Sequence, residues 1–347
     1  MPDFSYPDRP DQAKALSWWL LIMAGAVALM VIIGGITRLT GSGLSMVEWR
    51  PLIGALPPLS EAEWQRVFAL YQQSPEYQQI NYGMGLAAFK QIFFWEWFHR
   101  LWGRFLGLLF ILPLLWFWWR GQIPAGYKPG LVGLALLGGL QGVIGWWMVV
   151  SGLADEPAVS QYRLATHLSM ALLIYGLLIW AGLNLRDGPA RLPGGHGAGT
   201  LGLVVLTILA GAFVAGMDAG LLYNEYPLMG DSLLPVEYGE AGLADPFENP
   251  ASAQFHHRWI AVLAALAVLS HWWRLRNCTQ LARRAGLMAA MVLVQFALGI
   301  VTLLNGVPVW LGAAHQAGAV VLLGLVLACL HASARQKTDA RTGPQAG

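Results

Sequence analysis

Charge is scarce in this sequence and cysteine scarcer. Only 12% of its 347 residues are charged, about half the share of an ordinary soluble domain. The two cysteines, Cys278 and Cys329, have no CxxC neighbour, so nothing supports a thiol redox centre, a zinc site or a disulfide framework. There is no Walker loop. The glycine-rich "GGITRLTGSG" closes an apolar run and does not follow a strand, which excludes a dinucleotide fingerprint. No apolar stretch alternates as the strands of a membrane barrel do. A net charge of +2 gives no footing for a nucleic-acid partner.

What the chain has instead is apolar length. Hydrophobic residues make up 56% of it, and the mean hydropathy is +0.51. They gather into eight runs, at 17–37, 92–119, 131–150, 162–183, 200–221, 255–273, 285–304 and 309–331. Each is near the ~20 residues a helix needs to cross a bilayer. Backbone groups in lipid must bond internally, so the expected fold is an all-α integral membrane protein with eight transmembrane helices. The first run is too long for the apolar region of a signal peptide and reads as a retained span. Arg120 and Lys128, Arg186 and Arg191, Arg274, Arg276, Arg283 and Arg284, then Arg335, Lys337 and Arg341 all fall on one side. Residues 222–249, on the other side, carry Glu225, Asp231, Glu237, Glu240, Asp245 and Glu248 with no Lys or Arg. The positive-inside rule therefore places both termini in the cytoplasm. Arg50, Arg66 and Lys90 depart from the rule in the first outer segment. In that segment Ser60 and Glu63 form a capping box that opens a short amphipathic helix.

Four short matches recur in the same order in spans one to four and five to eight. "GSGL" at 41–44 pairs with "DAGL" at 218–221, and "EWFHR" at 96–100 with "QFHHR" at 254–258. "QGVIG" at 141–145 pairs with "QFALG" at 295–299, and "LATHL" at 164–168 with "GAAHQ" at 312–316. An even number of spans separates the copies, so they run parallel. The expectation is two pseudo-symmetric four-helix bundles, residues 1–190 and 191–347, joined by the Gly- and Pro-rich stretch 186–200.

Of the eight histidines, His196 lies in that linker, while His271 and His331 sit at cytoplasmic ends of spans and read as interfacial. His99, His167, His257 and His315 differ. Each lies about two turns inside the outer end of an even-numbered span, where an ionisable group is costly and is a functional candidate by default. Two histidines per half, on different helices, suit a haem iron held from both faces. The residues one turn further on are Gly103, Ala171, Ala261 and Ala319, small enough to lie against a porphyrin. Small residues are also ordinary helix contacts in membranes. Zinc or copper would want ligands more closely grouped, and HxxxH and Cys pairs are absent. His256 neighbours His257. The "FHR"/"HHR" alignment selects His257, whose i+4 residue is Ala261, whereas that of His256 is the bulkier Ile260.

Haem propionates near the outer surface need cations, and Arg100, Arg104 and Arg258 are placed to supply them. Headgroup snorkelling is the ordinary alternative, against which Arg104 is too deep. Glu96 precedes His99 by three residues and shares its helix face. A carboxylate there is either an i,i+4 ion-pair partner of Arg100 or a preorganised charge beside the reacting group, and we favour the second. Its second-half counterpart, Gln254, is an amide.

The stretches "LAAFKQIFFWEWFHRLWGR", "QGVIGWWMVVSGL", "VSQYRLATHL", "GAFVAGMDAGLLYNEYPLM", "QFHHR" and "LGAAHQAGAVVL" resemble the haem A synthase family, in its longer mitochondrial and proteobacterial-type form. The likeness runs from Ser17 to about His331. "GGITRLTGSGLSMVEWRPLIGALPPLSEAEWQ" is similar to the outer loop of that form. The shorter Gram-positive form has a cysteine pair in this region; this chain has none, so any role of such a disulfide does not carry over. The resemblance implies oxidation of a methyl group of haem O to a formyl group. It proceeds through a hydroxymethyl intermediate and a gem-diol that loses water, and gives haem A for cytochrome c oxidase. It implies a haem b cofactor on His257 and His315, and the substrate haem facing His99 and His167. Location in the inner (cytoplasmic) membrane of a bacterium, self-association, and exchange with haem O synthase and oxidase assembly factors are implied in the same way. The alternative from another class is a dihaem b-type cytochrome passing electrons from quinol. Haems stacked at different depths would favour it, whereas all four ligands here lie near one face.

Overall fold

The computed structural model describes residues 10–48, 53–153 and 157–342; Arg50 lies outside them. Among the described residues the regular elements are all helices, and the one extended pairing is an isolated bridge between Met229 and Ser232. The helices are α1 (Pro10–Leu39), α2 (Glu61–Tyr71), α3 (Pro75–Gln79), α4 (Leu86–Trp119), α5 (Lys128–Leu153) and α6 (Gln161–Asp187). There follow α7 (His196–Gly216), α8 (Asp245–Glu248), α9 (Pro250–Leu275), α10 (Ala282–Leu304) and α11 (Val309–Thr342). Seven of the long helices, all but α9, are long and apolar enough to cross a membrane, so the protein is a multi-pass membrane protein. α9 is an eighth long helix of 26 residues whose apolar run is diluted by Gln254, His256, His257, Arg258 and His271.

Helix ends depart from the apolar runs for local reasons. α4 begins at Leu86, earlier than its run, because Phe89 and Phe93 are buried under the outer segment with Phe68, Tyr71 and Tyr77. In that segment the Ser60 hydroxyl accepts from the Glu63 amide, as the capping-box motif implies, and Ser74 caps α3 in the same way. α9 begins at Pro250 because Asn249 accepts from the Ala251 and Ser252 amides and proline fits the first turn. α7 stops at Gly216, short of its run. Asp218, two residues on, takes a left-handed conformation with φ +51°. Its repeat counterpart after α1 is Gly41, with φ +61°. The side chain that strains the second turn is also used, since Asp218 accepts two hydrogen bonds of 2.9 Å from Arg38 of α1.

α1 packs on α4 and α6, and α7 packs on α9; α5 lies against α6, and α10 against α11. Two seams related by the repeat join these groups, α1 with α11 and α6 with α7, and α6 also packs directly on α11. Neither α4 with α6 nor α9 with α11 forms an extended face-to-face contact. The dense core is one-sided. It takes the first parts of α1, α5, α7 and α10, as in Leu16, Leu20, Leu131 and Met288, and the last parts of α4, α6, α9 and α11, as in Leu114, Leu178, Val268 and Val326. The four histidines of the even-numbered spans lie beyond this core, toward the outer segments. The apolar residues that remain exposed, such as Leu112, Leu136, Leu266 and Val294, lie on the outward faces of the long helices.

Candidate functional site

The structure pairs the intramembrane histidines across the two gaps. His257 of α9 and His315 of α11 face each other with ring centroids 6.4 Å apart and planes at 90°. Nitrogen–metal bonds of roughly 2 Å on each side put the centroids of two opposed axial imidazoles about 6 Å apart. His257 Nδ1 donates to the carbonyl of Thr207 at 3.0 Å, which leaves Nε2 with its lone pair for a metal. The amide of Gln295 donates to the His315 carbonyl at 2.8 Å and lies 3.1 Å from His315 Nδ1. In the first half, the Gln141 amide donates to the His167 carbonyl at 3.1 Å and lies 3.4 Å from Nε2 of the same ring. His167 of α6 in turn lies close enough to His99 of α4 to interact electrostatically.

Each imidazole also rests on a glycine of an odd-numbered span. A Cβ at Gly34, Gly145, Gly211 or Gly299 would stand 3.2, 2.9, 3.0 or 2.8 Å from the ring of His99, His167, His257 or His315 respectively. The rings are therefore held from behind while remaining partly accessible. The i+4 residues Ala171, Ala261 and Ala319 remain partly accessible too. Gly103 faces the methyl of Met30, which a Cβ would approach to 3.3 Å. Two opposed imidazoles supply two axial ligands and a porphyrin the rest, so the donor set fits haem. His256 is turned elsewhere. Its Nδ1 donates to the Ser252 carbonyl at 2.7 Å and its ring stacks on Tyr238, which leaves His257 as the pocket residue.

Glu96 is buried at 2% exposure and fully engaged. One oxygen accepts from Arg100; the other accepts from the Ser45 hydroxyl and the Met46 amide, both at 2.7 Å. Arg100 also donates to the Met46 carbonyl at 3.2 Å. The second half repeats the clamp. Gln254 donates to the Tyr223 carbonyl at 3.0 Å, and Arg258 donates to the same carbonyl at 2.8 Å and to that of Leu228 at 3.0 Å. Met46 and Tyr223 each stand five residues beyond the equivalent left-handed residues Gly41 and Asp218. The same two helix positions thus hold the same loop position twice, with an ionic pair in one half and an amide in the other. Arg258 Nε is buried without a partner among the described residues. Arg104, one turn beyond Arg100, is half-buried.

Two histidines expected at the interface are not there. His331 is fully buried, with Nε2 2.9 Å from Asn184 Oδ1, and His271 is 7% exposed and stacked on His196. Arg274 and Arg276 follow His271 and Arg335 follows His331 in sequence, yet the dense core closes over that end. In the outer segment, Tyr71 donates to Glu76 at 2.9 Å inside the aromatic cluster. Burial there pushes the Glu76 carboxyl up to about 7; the Tyr71 bond opposes the shift and the Glu96 charge adds to it.

The fold defines a polytopic membrane protein, and its facing imidazoles offer the donor pair that a haem iron takes from two sides. The chain belongs to the cytochrome oxidase assembly protein family (COX15-CtaA), whose family model matches residues 17–327. A Heme A synthase of Rhodospirillum centenum is 52% identical to it, over 94% of this chain and 90% of that one. One of Maricaulis maris is 50% identical over 90% and 94%, and one of Parvibaculum lavamentivorans 47% identical over 92% and 95%.

Proposed function

We propose that this protein is an oxidoreductase converting haem O to haem A, with two pseudo-symmetric halves, 1–190 and 191–347, specialised for substrate and cofactor. The observation that carries the reading is the His257–His315 pair, spaced at 6.4 Å as the two sides of one iron require. His257 and His315 hold a haem b, which supplies one-electron chemistry when bound. Gln295, Gly299, Gly211 and the Thr207 carbonyl fix the two rings.

His99 and His167 face the substrate haem in the first half, set by Gly34, Gly145 and Gln141. Arg100, Arg104 and Arg258 meet propionates near the outer loops; the unpartnered Nε of Arg258 supports this in the second half. Glu96 is the catalytic carboxylate. Held through both oxygens, it acts as a fixed negative charge at the methyl being oxidised, a role the amide of Gln254 cannot fill. The protein resides in a bacterial inner membrane with both termini cytoplasmic, self-associates, and exchanges haem with haem O synthase and oxidase assembly factors.

Haem extracted from the purified protein and separated by chromatography tests the reading. Haem O, a hydroxylated intermediate or haem A beside haem B is the expected result. Haem B alone would replace the synthase by an electron-transferring cytochrome.

A further inference from the structure

The two pockets share a wall on α1. Gly34 seats His99 of the first pocket. The next residue, Gly35, meets Gln316 of α11, the immediate neighbour of His315 in the second pocket. A Cβ at Gly35 would stand 1.9 Å from Gln316 Oε1 and 2.6 Å from its Cδ. The Gln316 amide is held there by donating to the Val31 carbonyl of α1 at 2.8 Å. The repeat makes this junction informative. The second seam, between α6 and α7, has Leu168 where the first has Gln316, and Ala212 where the first has Gly35. Glutamine meets glycine at one seam, while leucine and alanine occupy the other. Both seams run beside both pockets through consecutive residues of one helix, Gly34 and Gly35 of α1 and Gly211 and Ala212 of α7, and only the first of them is polar.

We propose that Gly35 and Gln316 form a positioning pair through which α1, a helix of the substrate half, sets the axial histidine His315 of the cofactor half. The amide fixes the turn of α11 that carries His315 against α1. Gly35, lacking a Cβ, leaves the space that amide occupies while it reaches the Val31 carbonyl. Gly34 and Gly35 therefore act on different pockets although they are adjacent. The inference rests on the proposed haem b site.

The test is a double-mutant cycle on the full-length, haem-containing protein in detergent. It reads retained haem b and the electron paramagnetic resonance and midpoint potential of its low-spin iron. Gly35→Ala displaces the Gln316 amide, and Gln316→Ala removes it. Each is expected to shift the low-spin signal and to lower retained haem b by about fivefold, the consequence of one lost buried hydrogen bond. The double variant is expected to be no worse than the more severe single one, because both remove the same contact. Gly34→Ala is expected to leave the haem b signal unchanged and to lower conversion of haem O. Gly25→Ala, on the same helix with open space around it, controls for the change in helix propensity. Wild-type signals in both single variants would overturn the proposal, as would fully additive losses in the double variant. His315→Ala separates the two levels: if it leaves the low-spin haem in place, the haem b assignment itself fails, whatever Gly35 does.

Discussion

At the scale of single residues, the two histidine pairs make separable predictions. Replacing His257 or His315 is expected to remove the retained low-spin haem b, while replacing His99 or His167 spares it and abolishes conversion. Optical spectra and product chromatography on the purified variants check this. Loss of haem b from His99→Ala with retention in His257→Ala would exchange the two halves. Glu96→Gln keeps the shape and part of the clamp on residues 45–46 but loses the charge. Both haems are expected to stay, with haem O or its hydroxylated product accumulating. A normal yield of haem A would remove Glu96 from the chemistry, and loss of both haems would leave it as the loop clamp alone. The histidines were legible in the sequence because an imidazole inside an apolar run stands out. Gly34, Gly145, Gly211 and Gly299 were not, because glycine is common in membrane helices and its partners lie on other helices. Gln141 and Gln295 were visible as a repeated motif, but nothing in a linear match says that their amides hold His167 and His315.

At the scale of elements, the outer segment behaves as a small domain resting on α4. Its buried acid gives it a pH dependence. Glu76 rises from 4.5 to about 7 on folding, so the folded segment favours the protonated form. The stability this group contributes is complete below pH 4.5 and is lost as pH climbs through about 7. Glu76→Gln is therefore expected to make opening of α2 and α3 less favourable at pH 8, by up to about 3 kcal/mol, and to change it little near pH 5. Hydrogen-exchange protection factors of the amides in 61–79 measure it. The cap at Ser60 was readable because it is local in sequence. The early start of α4 was not, because Phe89 and Phe93 are apolar like the rest of their run, and only the arrival of Phe68, Tyr71 and Tyr77 shows what they cover.

For the whole molecule, orientation is open to direct measurement. Cys278 lies partly exposed between α9 and α10. A membrane-impermeant thiol reagent is expected to reach it only from the cytoplasmic side, where Arg274, Arg276 and Arg283 cluster. A cysteine replacing the fully exposed Leu243, in a chain with Cys278→Ser, is expected to label only from the opposite side. Labelling of both from one face would break the eight-helix topology, and exchange of the two faces would invert it. The order of the repeats was legible from four short matches. The α1–α11 seam was not, because its contacting residues lie 285 positions apart.

That separation gives the α1–α11 contact a place in time. Val31 and Gln316 are 285 residues apart, so α1 leaves the ribosome long before α11. A chain still lacking α11 already has His99, His167 and their glycine seats, but His257 has no opposite ligand and α1 no neighbour at Gly35. The histidines of the first pocket are made before those of the second, which closes only once α11 has followed. Closing it presses a later helix against an earlier one, so the arrival of α11 also tests the placement of α1.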